Sequence, residues 1–116
     1  MSLVDPTATV LETAMRGAMD RQTVLTSDLA NADTADFQPQ DVDFQDQLNA
    51  AMQSGQPLSD LNFQTTTNSQ MAGVGGNGVD TDEVSADIAE NGLEYQALAE
   101  VLAAHNSILQ YAMGTQ

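Results

Sequence analysis

The chain has 116 residues, no cysteine, and 17 acidic residues against two arginines, for a formal charge of −15. That length holds one domain, and the missing thiols exclude disulfides, thiolate metal centres and cysteine nucleophiles. The charge argues against nucleic acid and anionic membrane surfaces as partners, and no apolar run approaches the roughly 20 residues of a membrane-spanning helix.

The first element expected is a helix opening at Asp5-Pro6, where an acidic cap precedes a proline that presets the helical φ. Thr9 and Glu12 offer a second possible start as a capping box. The apolar seam runs Leu11, Met15, Ala18, Gln22, Leu25, Leu29 and Ala32, stepping by fours and threes, so one side of the helix faces a partner helix. Gly17 and the β-branched Thr23, Val24 and Thr26 lower its intrinsic propensity, which leaves packing to supply much of its stability. The helix should end near Asn31 to Thr34, with an asparagine in the left-handed conformation.

Residues 33–81 read as loop: clustered Asp, the polar tract Thr65-Thr66-Thr67-Asn68-Ser69-Gln70, and Gly73, Gly75, Gly76 and Gly78. A short helical turn around Phe44 to Met52 is the one plausible interruption. Phe37, Phe44 and Phe63 all lie in this segment. They either dock onto a neighbouring molecule, the segment ordering as it does so, or fold back on the chain's own helices.

The second long helix has a marked start, with Asp80 three residues before Glu83 as a capping box and acids at the positive end of the helix dipole. It should run to about Met113, some 48 Å at 1.5 Å per residue. Its seam is Val84, Ile88, Asn91, Tyr95, Leu98, Leu102, His105 and Leu109. Beside it lies a further stripe of Leu93, Ala97, Val101, Ala104, Ile108 and Tyr111. Two adjacent stripes exceed what one antiparallel partner covers, and residues 33–81 offer no strong candidate for a third helix. Oligomerisation through the C-terminal helix is the expectation that follows. The fold expected is all-α, with two long terminal helices packed as a coiled-coil-like pair and joined by a long, mostly irregular middle segment. Residues 1–32 and 82–116 form the helices of a single core domain, and 33–81 the linker.

No constellation for chemistry emerges. A Ser-His-Asp arrangement would need His105, which sits in the seam between Leu102 and Leu109. Asp41 with Asp43, or Asp80 with Asp82, would serve as acid and base only inside a shaped pocket. Gly75-Gly76-Asn77-Gly78-Val79-Asp80 matches the start of a calcium-binding nonapeptide, but that motif works in stacked tandem copies and here stands alone, with Asp82 where a large apolar residue belongs. No catalytic, cofactor-binding or metal-ligating residue is assigned, no cofactor is expected, and the chain reads as a non-enzyme. The acidity fits either a solvated surface in a salt-rich setting or the complement of a basic partner.

Two separated motifs carry a resemblance. Leu29-Ala30-Asn31-Ala32-Asp33-Thr34-Ala35-Asp36-Phe37, continuing to Asp41-Val42-Asp43-Phe44, resembles the end of the first helix in bacterial flagellar rod and hook proteins, the proximal rod proteins in particular. Gly76-Asn77-Gly78-Val79-Asp80, then Ala89-Glu90-Asn91 and Leu93-Glu94-Tyr95-Gln96-Ala97, is similar to the start of their C-terminal helix. The opening Asp5-Pro6-Thr7 also fits, while residues 45–74 match only in character. The chain departs from that family at Asp28, usually Asn, at Ala35-Asp36, usually Pro-Gly, and at Gln38, usually basic. The resemblance implies a structural subunit of the flagellar basal-body rod, exported through the flagellar type III apparatus without a cleaved signal and lodged in the periplasm-spanning shaft. Its implied partners are copies of itself and other rod, ring-adaptor and export proteins, with no nucleic acid and no membrane insertion.

On that reading subunits would meet through Asn31, Asp33, Thr34, Phe37, Val42 and Phe44 after the first helix, and through Leu93, Ala97, Val101, Ala104, Ile108 and Tyr111 on the last. The intrachain seam would be Leu11, Met15, Ala18, Leu25 and Leu29 against Val84, Ile88, Tyr95, Leu98, Leu102 and Leu109. Two other classes share parts of this pattern: a secreted helical-hairpin protein, although the Trp-containing turn of one such group is missing, and an acidic calcium- or cation-binding module.

Overall fold

A computed structural model describes residues 5–68 and 78–114. Helix α1 spans Pro6–Ala30, α2 Phe44–Ser54 and α3 Thr81–Gly114, with strands β1 at Gln40–Asp41 and β2 at Thr66–Thr67 and a 3-10 turn at Leu58–Asp60. Asp5 caps α1 by accepting a hydrogen bond from the Thr7 amide at 3.1 Å, and Pro6 takes the first helical position, so the later Thr9–Glu12 start is not used. At the other end Asn31 has φ −103°, which is not left-handed. The chain leaves instead through two successive turns, Thr34 N to Asn31 O at 3.0 Å and Phe37 N to Thr34 O at 3.2 Å. The positive φ of 61° falls on Asp36, a residue type whose short polar side chain tolerates that region. Asp36 therefore adopts the backbone for which the resembling family supplies glycine.

The terminal helices run antiparallel, as their paired side chains show. Asp87 Oδ2 lies 3.8 Å from an Arg21 nitrogen, Asn91 Nδ2 donates to the Ala18 carbonyl at 2.8 Å, and His105 Nε2 meets Asp5 Oδ2 at 2.5 Å. Ala18, Leu25 and Val84 are fully buried between them. Leu29 and Leu109, expected in this seam, are 37% and 38% exposed. Both stand near an end of the helix overlap, where a 3.6-residue helix has drifted away from a 3.5-residue pattern. Asp28 faces inward in place of Leu29 and is 1% exposed.

The middle segment is more ordered than its composition indicates: the helical turn expected around Phe44 to Met52 is present as α2, Phe44–Ser54, and it supplies the third packed helix for which the segment offered no strong candidate. Asp43 accepts from the Asp46 amide to cap α2, and Gly55 ends it at φ 76°, with Gln56 N reaching back to Ala51 O at 3.0 Å. Phe44, Leu48 and Ala51 form its buried face against Ala14 and Ala18 of α1, together with Val42 and Leu61. Phe44 enters a notch at Gly17, where a Cβ would stand 2.5 Å from the Phe44 Cβ. Phe63 packs edge-on to Phe44 with ring centroids 6.4 Å apart. The two strands pair antiparallel, Gln40 opposite Thr67 and Asp41 opposite Thr66, adding a short ladder to an otherwise helical fold. The Gln47 side-chain amide donates to Gln64 O at 2.9 Å and accepts from Gln64 N at 2.7 Å, as a strand neighbour would.

The second approach to α1 comes just before α3. Gly78 sits at φ 73°, and a Cβ there would lie 2.5 Å from the Ala32 carbonyl oxygen. That close contact lets Val79 join Leu25 and Val84 in a small second core, against which Phe37 and Ile88 pack. Ser69, Gln70, Gly73 and the first three residues of the nonapeptide-like motif, Gly75, Gly76 and Asn77, lie outside the described residues.

Two stability predictions follow from opposing magnitudes. Glycine costs about 1 kcal/mol relative to alanine inside a helix, whereas overpacking costs about 1–3 kcal/mol. Gly92→Ala, whose Cβ would meet nothing within 4 Å, should stabilise by about 0.5–1 kcal/mol. Gly17→Ala should instead lower the denaturation midpoint, because Phe44 must move. Asp28 accepts twice from the Gln40 amide, at 3.0 and 3.2 Å, yet its burial pushes its carboxyl above the ordinary 3.8. A raised folded-state value means the ionised form opposes folding, so the stability this group contributes is full at low pH and is lost as pH rises through its folded value. Asp28→Asn keeps an acceptor for Gln40 and should raise Tm at pH 7, the difference disappearing below pH 3.8. An equal effect at both pH values would remove burial of charge as the cause.

Candidate assembly interface

The last helix carries the candidate site. Its 34 residues extend roughly 51 Å at 1.5 Å per residue, much of the 64 Å long axis of the molecule. Val84 and Asn91 are buried against α1, and Ile88, Tyr95, Leu98 and Leu102 are half-buried. The stripe beside them is open: Leu93 is 67% exposed, Val101 53%, Ile108 67% and Tyr111 77%, with Ala97 and Ala104 also exposed. Helix α2 does not relieve this: its apolar face packs on α1 with Tyr95 and Leu98 of α3 at its edge, Gln45 hydrogen-bonds Glu94, and the stripe itself stays exposed. Because His105 lies level with the Asp5 cap of α1, the residues from Asn106 onward run past the start of that helix for roughly two and a half turns.

The structure divides the residues expected to meet neighbours around the turn after α1. Asp33 and Thr34 are exposed and Asn31 half-buried. Val42 and Phe44, however, are 1% and 3% exposed in the protein's own core, so they are corrected from intersubunit to intrachain positions. The reason is the Gly17 notch, which admits the Phe44 ring and draws the preceding strand with it. Phe37 is half-buried on the second core. Sequence reasoning missed Thr13, Ala14, Gly17, Asp28, Leu48, Ala51, Leu61 and Val79. A signal existed for several of them: Ala14, Gly17 and Ala18 form a small-residue face on α1, and Phe44, Leu48 and Ala51 stand at i, i+4 and i+7.

Charge around the site is one-sided. Arg16 donates to the carbonyls of Leu61 at 2.6 Å and Leu58 at 3.1 Å and lies 5.4 Å over the Phe63 ring. Arg21 forms a two-pronged ion pair with Asp41, at 2.8 and 3.3 Å. Both cations are thus engaged with the middle segment, and the remaining charges are carboxylates. Those considered for chemistry serve structure: Asp43 and Asp80 cap helices, the latter accepting from the Glu83 amide at 3.2 Å, and Asp41 holds Arg21. His105 bonds Asp5, and that bond above all holds the Asp5 carboxyl below its usual value. Among the described residues no group of three or more carboxylate or imidazole side chains converges on a point that would hold a metal ion. No helix among them is long and apolar enough to cross a membrane.

No protein-family profile matches the chain. Curated relatives do. It is 33% identical over 105 residues to the flagellar basal body rod protein FlgB of Yersinia enterocolitica, covering 71% of this chain and 74% of that protein. It is 31% identical over 112 residues to FlgB of Bacillus subtilis, covering 86% and 87%, and 31% identical over 96 residues to FlgB of Escherichia coli, covering 66% and 70%. With relatives above 30% identity matched over two thirds or more of both chains, the chain belongs to the FlgB family of flagellar basal-body rod proteins.

Proposed function

We propose that this protein is a structural, non-catalytic subunit of the proximal flagellar rod. It joins its neighbours through its terminal helices and helps to carry torque from the membrane ring towards the hook. The observation that carries this reading is the open apolar stripe from Leu93 to Tyr111 on a chain similar to rod proteins. A helix with apolar residues on more faces than its own chain covers is incomplete by itself. In the assembly α1 and α3 form a coiled-coil-like pair, and the stripe is covered by helices of adjacent subunits. Exposed Asp33 and Thr34, with half-buried Asn31 beside them, form a second contact with an adjacent subunit or ring protein. The partners are copies of this chain and other rod, ring-adaptor and export proteins. The location is the periplasm-spanning shaft, reached without a cleaved signal.

The energetics favour such a wall. Apolar burial contributes about 25 cal/mol per Å², so several hundred Å² per contact outweighs repulsion between acidic surfaces screened over about 10 Å. Against the other two readings, the docked α2 makes the chain more than a hairpin, and its described carboxylates are dispersed as caps and ion-pair partners. Val101→Asp, at a 53% exposed position, should change monomer stability by less than about 0.5 kcal/mol yet abolish polymerisation of the purified chain. Polymers from that variant equal to wild type would remove the stripe as the interface.

A further inference from the structure

The open stripe on α3 is not uniform along its length. Asp82, Glu83, Asp87, Glu90, Glu94 and Glu100 all lie in the first part of the helix, and no acidic residue follows Glu100. Leu93 has Glu90 one turn before it at i−3 and Glu100 two turns after it at i+7, whereas Glu100 only borders the tip, at i−4 from Ala104, and α3 carries no acid within two turns of Ile108 or Tyr111. A second copy approaching Leu93 would therefore bring carboxylates against carboxylates. With Arg16 and Arg21 both committed to the middle segment, a copy of this chain has no free cation among its described residues to offset them.

From Val101 to Gly114 the conditions reverse. The helix carries only uncharged residues and His105, and His105 is turned to Asp5 of α1. Exposure is high on several sides: Val101 53%, Ile108 67%, Leu109 38%, Tyr111 77% and Met113 64%. Val101, Ala104, Ile108 and Tyr111 step by three, four and three, the spacing of a helix–helix contact. Beyond His105 this tip also extends past Asp5, the most N-terminal acid of α1.

We infer that contact between copies of this chain is confined to the acid-free tip of α3, Val101 to Gly114, and does not use the acid-flanked Leu93 end of the same stripe. The inference rests on the rod-subunit reading and narrows it to one segment. The tip supplies the attraction, while the acidic remainder of each subunit holds copies apart except where salt screens it. Self-association should accordingly strengthen with ionic strength.

The test is analytical ultracentrifugation of the full-length chain at about 0.1 M and about 1 M sodium chloride, over which the Debye length falls from about 10 to about 3 Å. Wild-type self-association should tighten at the higher salt. Ile108→Asp should weaken it at least about tenfold at both salts, as expected for placing a charge where a large aliphatic side chain is buried. Leu93→Asp, equally exposed in the subunit, should change it less than about threefold. Circular dichroism of both variants checks that α3 remains helical. If Leu93→Asp weakens association as much as Ile108→Asp, confinement to the tip is wrong while the rod-subunit reading stands. A wild-type chain that remains monomeric at every concentration and both salts overturns self-assembly through α3 altogether.

Discussion

Two guanidinium groups hold the middle of this chain against its first helix, and the rest of the architecture depends on that attachment. Arg16 reaches the Leu58 and Leu61 carbonyls and the Phe63 ring, and Arg21 grips Asp41, so the segment is fastened near both of its ends. Between them the Phe44 ring occupies the space left by the absent side chain of Gly17. A polar segment with few apolar residues gains order because charge-assisted hydrogen bonds and one aromatic anchor act together, each too weak to offset the chain entropy alone. The same use of both cations leaves an exterior whose net charge is strongly negative.

The α1–α3 seam sets the relative position of the terminal helices with a polar residue rather than with shape alone. Asn91, 1% exposed, donates to the Ala18 carbonyl and to Gln22 Oε1, each at 2.8 Å, while its own Oδ1 lacks a protein partner. A buried amide of this kind lowers stability relative to an apolar residue but strongly disfavours a slipped alignment, which would strand its donor as well. His105 with Asp5 and Asp87 with Arg21 repeat the same alignment at other levels. A helix held in one register presents its outer stripe in one orientation, which is what a subunit of a regular shaft requires.

Within that frame α3 combines two surfaces of different character. Its first part is acidic and lies over α1, and its last part is uncharged and extends beyond α1. On the proposed reading rod assembly couples them, with the inner seam making the subunit and the outer stripe the contact between subunits. The middle segment packs along α1 and meets α3 at Glu94, Tyr95 and Leu98, yet leaves Leu93, Val101, Ile108 and Tyr111 exposed, so the ordering of residues 39–68 and the availability of the stripe do not compete.

Much of this was present in the amino-acid order itself. The Asp5-Pro6 and Asp80–Glu83 signals located the starts of both long helices, because caps act through neighbouring atoms of the same segment. The second stripe of α3 was visible as periodicity, and the flagellar likeness rested on short motifs at the two helix ends. What only the tertiary structure decided lay in contacts between residues far apart in sequence. That Gly17 is a notch and not merely a weak helix former depends on Phe44 lying above it. That Asp28 rather than Leu29 turns inward depends on the Gln40 amide it meets. That Val42 and Phe44 belong to the subunit's own core, and not to a neighbour's, depends on which of two apolar surfaces lies nearer. Spacing along a chain shows that a face must be covered, and three-dimensional packing alone decides what covers it.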